Sequence, residues 1–427
     1  MIRIVNSRDI DLDRLHNFTQ QDDSELTELV AAIIKDVKEK GDQALREYSQ
    51  RFDGFSPDSF LVSSQEIEQA IAETDPDLIR VLEAAAANIE AFHASQVQRG
   101  FLIERRDGVI TGQKITPIAK AGLYIPGGTA AYPSSVLMNA IPAKIAGCEQ
   151  IIITTPPSGG KINPAILAAA KIAGVDRIFK IGGAQAIAAM AYGTESIPQV
   201  DKITGPGNRY VAEAKKQVYG QASIDMIAGP SEILIIADGV SDPSHLAADL
   251  LSQAEHDTDA SAILVTDDPA LAEAVAEEIE RQIVRLARFE IARRSIDDHG
   301  LIILTSDIEE AIEVANRAAP EHLEICTDSP FDYLQQIRNA GSIFLGRNCP
   351  EAVGDYFAGP NHTLPTGGTA RFSSPLSVND FIKVTQFSYY SEAALADEAE
   401  AIAVFARAEG LDAHAESVLI RTGKNRC

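Results

Sequence analysis

Hydrophobic positions change their spacing along the chain, and the changes divide it. Residues 1–20 read as a short arm with a brief strand at 2–5 followed by polar residues. Leu26, Leu29, Val30, Ile33, Ile34 and Val37 then recur at the helical period over 24–48, with Gly41 interrupting the helix or starting a second one. Ser63 and Glu66 form a capping-box pattern that opens a helix at 64–73, and a longer helix follows over 76–97. Two strand-like runs, 101–106 and 109–118, flank Asp107-Gly108, a two-residue turn signal that predicts a hairpin.

Beyond Lys120 short apolar runs alternate with helical ones. Residues 122–128 read as a strand entering a Gly-Pro loop. A strand at 150–155 precedes a helix at 163–173, and a strand at 177–181 ends in Gly182-Gly183 before a helix at 184–192. A strand at 202–204 enters Gly205-Pro206-Gly207-Asn208 ahead of a helix at 209–219. This alternation implies βαβ units and a parallel sheet, whose ligands sit at the carboxyl ends of the strands. Those ends are glycine loops here, with Tyr124, Gln185 and Asn208 close by. From residue 224 the alternation resumes: strands at 233–237, 262–266, 301–304, Ile325 and 343–345, and helices at 245–256, 269–288, 291–296 and 308–317. The block 120–232 therefore reads as an insertion, which pairs the N-terminal helices with the second α/β unit. Residues 346–380 are rich in Gly, Pro, Asn and Thr and read as a long functional loop. The tail, 391–421, reads as two amphipathic helices broken at Gly410.

At 427 residues, 45% hydrophobic and 23% charged, the chain has the make-up of a globular protein of two or three domains. A net charge of −25 argues against a nucleic-acid backbone or an anionic membrane as partner. Local glycine loops could still bind a phosphate-bearing cofactor, although no GxGxxG fingerprint is present. The four cysteines, Cys148, Cys326, Cys349 and Cys427, form no CxxC pair and suit a reducing cytoplasm. No apolar run is long enough to span a bilayer, and the N-terminus has no apolar signal core.

Candidate chemistry gathers in four stretches. In 249–257, Gln253 and His256 stand three apart and share one face of a helix, where an amide oxygen and an imidazole could hold a metal ion. Two ligands alone do not make a site, and a solvated acidic helix explains the same pattern. At a helix-to-strand junction, Glu321 and His322 are adjacent: imidazole can remove a hydroxyl proton while carboxylate activates water. A histidine compensating a helix dipole is the bland account. Asp355 and His362 lie in the Gly-Pro-rich loop, where Asp355 serves as a metal ligand or as a turn cap. His414, near Glu409, reads in isolation as a surface histidine. His16, His93, His245 and His299 read as structural or solvent-facing, and Cys148 and Cys326 as buried and inert.

Six stretches in order, 224–238, 249–257, 319–325, 354–366, 373–383 and 409–421, resemble histidinol dehydrogenases. The resemblance runs nearly end to end. It implies two incomplete Rossmann-like α/β domains with small N- and C-terminal segments in an intertwined homodimer. The implied division is an arm at 1–20, a first large domain of 21–123 with 233–376 carrying metal and catalytic residues, an inserted cofactor domain at 124–232, and a helical dimerisation segment at 377–427. It implies one Zn2+ per subunit on Gln253, His256, Asp355 and His414, with His414 and Glu409 crossing from the partner. It makes Glu321 and His322 the catalytic pair and assigns substrate contacts to Ser231, Gln253, His256, His322, Asp355, His362, Glu409 and His414. Contacts to NAD fall on Tyr124, Gln185 and Asn208. The implied reaction is four-electron oxidation of L-histidinol to L-histidine by two NAD+ in the cytoplasm, ending L-histidine biosynthesis, with activity rising through the pKa of His322. A relative that oxidises another polar alcohol, such as a sulfonated diol, and a non-catalytic zinc- or nucleotide-binding protein are the competing readings.

Overall fold

The structure is a computed structural model that describes residues 2–12, 15, 24–127 and 132–423. His16, Gly128 and Cys427 lie outside the described residues. The chain divides into two units, Met1–Gln96 with Ile118–Phe381, and Val97–Pro117 with Ile382–Cys427.

In the first unit, β1 (Arg3–Asn6) is followed by α1 (Ser24–Lys40), α2 (Asp42–Phe52), α3 (Ser64–Glu73) and α4 (Pro76–Ala94). The Ser63–Glu66 capping box forms as its residue types predict: Glu66 N donates to Ser63 Oγ at 3.2 Å, and Ser63 N donates to Glu66 Oε2 at 2.9 Å. The hairpin of the second unit comes next in sequence, β2 (Phe101–Arg106) and β3 (Val109–Pro117), turning at Gly108 with φ +76°.

Five parallel strands follow, β4 (Lys120–Tyr124), β5 (Gln150–Thr155), β6 (Arg177–Lys180), β7 (Lys202–Thr204) and β8 (Ser223–Ile224), with α5 (Pro133–Ala146), α6 (Pro164–Ile172), α7 (Gly183–Tyr192) and α8 (Arg209–Val218) between them. Their spatial order is β6-β5-β4-β7-β8, the 3-2-1-4-5 order of a doubly wound sheet. A second sheet is formed by β9 (Glu232–Ala237), β10 (Ser261–Thr266), β11 (Leu301–Leu304), β12 (His322–Cys326) and β13 (Ser342–Leu345). The helices α9 (Pro243–Ala254), α10 (Pro269–Ile283), α11 (Phe289–His299), α12 (Ile308–Ala318) and α13 (Phe331–Leu334) lie between these strands in sequence, and α14 (Glu351–Tyr356) follows β13. Its order, β1-β11-β10-β9-β12-β13, repeats 3-2-1-4-5 with β1 added at one edge, and all its pairings are parallel. The fold is thus α/β with parallel sheets.

Each sheet is apolar on both faces, as parallel sheets covered by helices must be. In the five-stranded sheet, Ala121, Leu123, Ile151 and Ile153 face a core with Leu82, Ala85 and Ile89 of α4. Tyr124 and Ile152 face the opposite core with Val30, Ile33 and Val37 of α1 and Leu45 of α2. This corrects the expected grouping of 21–123 with 233–376, because the N-terminal helices sandwich the 120–224 sheet instead. The sequence could not decide this, since helical periodicity names an apolar face but not the surface it covers.

The second unit also departs from expectation. Its tail contains α15 (Glu392–Ala408) and α16 (Asp412–Leu419), broken at Gly410, but also a nine-residue strand, β14 (Ile382–Tyr390). This strand pairs antiparallel with β3 in a sheet of order β14-β3-β2. Its apolar residues slip phase between Val384 and Phe387, which hides the alternation of a strand. Among the described residues, no helix is long and apolar enough to cross a membrane.

Phe179 of β6 is fully buried between sheet and helices, so Phe179→Ala should lower stability by about 3–5 kcal/mol, read as a fall in the denaturant midpoint. Asn208 caps α8, its Oδ1 accepting from Tyr210 N at 3.1 Å and Val211 N at 3.2 Å. Asn208→Ala should cost about 1 kcal/mol and speed hydrogen exchange at those two amides, while Asn208→Asp keeps the cap. Unchanged exchange in the alanine variant would remove this role.

Candidate active site

The first unit carries a cleft of about 1380 Å³, bounded by opposite ends of its two sheets. On one side are the carboxyl ends of β4 and β7, with Tyr124, Pro126, Gly127 and the loop Pro206–Asn208. There Gly205 has φ +114°, and a methyl group on it would fall 2.0 Å from the Tyr124 carbonyl oxygen, so only glycine permits the approach. This is the point where the strand order reverses. On the other side are the amino ends of β9 and β12, with Ser231, Glu321 and His322. The cleft thus lies at the carboxyl ends of the first sheet's strands, where ligands are expected, and at the amino ends of the second sheet's strands.

Glu321 and His322 lie where helix becomes strand. Helix α12 stops at Ala319, which is left-handed at φ +48° and is the one non-glycine residue with positive φ among the described residues. Pro320 cannot continue the helix, and β12 starts at His322. In the register of β12 on β9, His322 stands opposite Ile233. Glu321 and Glu232 exchange hydrogen bonds: Glu232 N donates to Glu321 Oε2 at 2.9 Å, and Glu321 N donates to Glu232 Oε2 at 3.3 Å. Glu232 Oε1 also accepts from Gly367 N at 2.9 Å.

His322 Nδ1 lies 2.9 Å from the Glu232 carbonyl oxygen. A carbonyl only accepts, so Nδ1 carries hydrogen and Nε2 is left as the basic atom. Nε2 is buried without a hydrogen-bond partner and stands 3.6 Å from Asp355 Oδ1. Burial opposes charge on this imidazole, but Glu321, Asp355 and Glu351 outweigh it and raise its pKa to about 10. Burial pushes Glu321 up to about 8 and Glu232 up to about 7. Burial also resists charge on Asp355, yet His322 beside it holds its carboxyl below the usual value.

Gln253, His256, Asp355 and His362 line the same cleft. Helix α9 ends at Ala254, and a further turn, His256 N to Gln253 O at 3.0 Å, keeps the two side chains on one side. Burial lowers the pKa of His256, favouring the neutral imidazole that a metal needs. Gln253 is 1% exposed, and its Oε1 has no hydrogen-bond partner. Asp355 was expected in a loop but sits on α14, which corrects the reading of 346–380 as structureless. His362 Nδ1 lies 3.1 Å from the Asp355 carbonyl and Nε2 lies 3.3 Å from Ser135 Oγ, tying α14 to α5.

Not every expected residue joins this cleft. Tyr124 and Asn208 line it, but Gln185 does not: it is 2% exposed on α7, beside Gly183, with Oε1 lacking a partner. Tyr124 Oη accepts from Gly183 N at 3.1 Å. Glu409, at the end of α15, and His414, on α16, are exposed and belong to the second unit. Among the described residues no three His, Cys, Asp or Glu side chains are grouped as metal ligands. The first unit brings two such ligands, His256 and Asp355, to the cleft with the Gln253 amide. An unpartnered buried amide oxygen, a neutral imidazole and a carboxylate held ionised are a donor set that suits Zn2+.

The sequence reading missed a shell of buried carboxyls. Glu232, Glu324 and Glu351 are buried, and Asp249 is half-buried on α9. Burial lifts Asp249 to about 6 and Glu351 to about 7, and raises Glu324 well above its usual range, with Asp249 beside it adding to the rise. Nothing in the pattern marked Glu351; Glu232 and Glu324 did carry a signal, being charged residues inside apolar strand runs. Cys148, Cys326 and Cys349 are unpaired, and burial raises the thiols of Cys148 and Cys326, which suits the inert reading.

The description of the histidinol dehydrogenase family matches residues 16–422. The chain is 52% identical over 426 residues to the histidinol dehydrogenase of Clostridium acetobutylicum, covering 99% of both proteins. It is 55% identical over 393 residues to that of Bacillus subtilis, covering 92% of each. The crystal structure of histidinol dehydrogenase from Elizabethkingia anophelis superposes with a TM-score of 0.93 at 41% identity, covering 99% of this chain and 98% of that one. The chain belongs to the histidinol dehydrogenase family.

Proposed function

We propose that the chain oxidises L-histidinol to L-histidine through a bound aldehyde, consuming two NAD+ and one water, as the last step of L-histidine biosynthesis in the cytoplasm. The active form is an intertwined homodimer with one zinc ion per subunit, built from two Rossmann-like α/β domains and a dimerisation segment. The observation that carries this reading is His322: its Nδ1 is committed to the Glu232 carbonyl, and its Nε2 is free beside Asp355, with Glu321 next to it. Family membership supplies the substrate.

Gln253, His256 and Asp355 would hold the zinc, with His414 of the partner subunit as fourth ligand. When bound, zinc supplies a redox-inert Lewis-acid anchor for substrate nitrogens, and NAD+ accepts hydride. Ser231, His362 and Glu409 of the partner subunit complete the substrate contacts; Tyr124, Gln185 and Asn208 attend the cofactor.

His322 Nε2 takes the hydroxyl proton of the alcohol as the carbinol carbon gives up hydride. Glu321 then removes a proton from water as its oxygen adds to the aldehyde carbon, and the His322 imidazolium returns its proton to the carbonyl oxygen, giving the gem-diol and a neutral His322. His322 takes a proton from that diol while the second hydride leaves, and the acid results. A carboxyl with a pKa near 8 is an effective base near neutral pH. Asp355 supports positive charge on His322 from 3.6 Å; committed to a cation, it would no longer do so, and the imidazole would move toward the neutral form.

Two NADH should appear per L-histidinol, and kcat/KM should favour L-histidinol over other amino or sulfonated alcohols; preference for another alcohol would overturn the substrate. Glu321→Gln should slow aldehyde oxidation roughly 100- to 10,000-fold and the first hydride transfer far less; equal slowing of both halves would refute its role with water. Mixed dimers of His322→Ala and His414→Ala chains, each inactive alone, should regain activity through one intact site per dimer. No recovery in verified mixed dimers would put His414 and His322 of one site in the same chain.

A further inference from the structure

The amide of Gln253 has two orientations with different consequences. Its Nε2 lies 3.3 Å from Glu351 Oε2 and 3.1 Å from His322 Nδ1. The hydrogen of Nδ1 is already directed to the Glu232 carbonyl, so that nitrogen has no lone pair to offer Nε2. The one acceptor in these contacts is therefore the Glu351 carboxylate. If the amide turned over, Oε1 would meet the Nδ1 hydrogen of His322 and compete with the Glu232 carbonyl for it. The oxygen would then be engaged by His322 instead of standing unpartnered, and His322 would lose its fixed orientation.

Glu351 is itself held in place. It is 3% exposed, its backbone N–H donates to Glu324 Oε1 at 2.8 Å, and Ser252 Oγ lies 3.0 Å from its Oε2. It is also the first residue of α14, the helix that carries Asp355 one turn later. One side chain thus joins the segment bearing Gln253 to the helix bearing Asp355.

We infer that Glu351 is a positioning residue of the metal centre: it accepts from Gln253 Nε2, selects the amide orientation that leaves Oε1 available to the metal, and keeps Oε1 off His322 Nδ1. This rests on the reading of Gln253, His256 and Asp355 as zinc ligands. Partners that orient ligands in this way are worth roughly 10- to 100-fold in metal affinity.

The test is a titration of the zinc-loaded protein with a competing chromogenic chelator, with circular dichroism to establish that each variant is folded. Glu351→Ala should release zinc at roughly 10- to 100-fold lower chelator concentration. Glu351→Gln is isosteric and offers either an oxygen or an NH2 to the Gln253 amide, so it should show a smaller loss in the same direction, and it carries the test alone if the alanine variant does not fold. In a Gln253→Ala background, either Glu351 substitution should change zinc affinity less than about twofold, because the group it acts through is gone. A general structural role would leave the loss undiminished in that background, and this result overturns the inference. Parent-like zinc retention in the Glu351 variants also overturns it while leaving the zinc reading intact. A parent protein that binds no zinc removes both.

Discussion

The pairing of β12 with β9 at the amino edge of the six-stranded sheet is what the site depends on. In that register Glu321 and Glu232 come side by side, and each carboxylate accepts a backbone N–H from the other residue. The same carbonyl that ends Glu232 fixes the tautomer of His322. A one-residue slip of β12 on β9 would turn the Glu321 carboxylate to the opposite face while Glu232 stayed, and abolish the exchange. Strong pairing of apolar Leu323 and Ile325 with Leu234 and Ile236 therefore holds the chemistry in place.

From that edge the site is built outward. Glu232 reaches Gly367 N, and Thr366 Oγ1 accepts from Gly229 N, so the segment before β9 and the 364–368 segment are tied together. His362 ties Asp355 to α5. Five carboxyls of the first unit, Asp249, Glu232, Glu321, Glu324 and Glu351, are raised by burial, and Glu232, Glu321, Glu324 and Glu351 are each felt by the His322 imidazole. So many desolvated acids at a cleft whose imidazoles His256 and His362 are held toward the neutral form by burial suit a position built for an added cation, because buried carboxylates are otherwise costly to keep ionised.

Much of the element list was legible in the sequence. The capping box at Ser63, the Asp107-Gly108 turn and the strand–glycine–helix alternation from Lys120 are local patterns, and local physics sufficed. Strand β14 was not legible, because its apolar phase slips between Val384 and Phe387. Helix α14 was masked by flanking Pro350, Gly359 and Pro360, which made the whole segment look like loop. The partnership of helices with sheets was misjudged for 21–123, since an amphipathic stripe on α1 or α4 fits any apolar sheet face.

Residue types and motif order by themselves determined the α/β class and the family, because those depend on local spacing and on six stretches in fixed order, and they nominated the Glu321-His322 pair. They also nominated Gln253, His256 and Asp355. Only the tertiary structure decided which edge of each sheet bounds the cleft, which nitrogen of His322 is basic, and that Glu232, Glu324, Asp249 and Glu351 are drawn out of water. The reason is physical. Hydrogen-bond partners and burial come from contacts between residues far apart in sequence, such as Glu232 with Glu321 and Gln253 with Glu351. No local pattern encodes them.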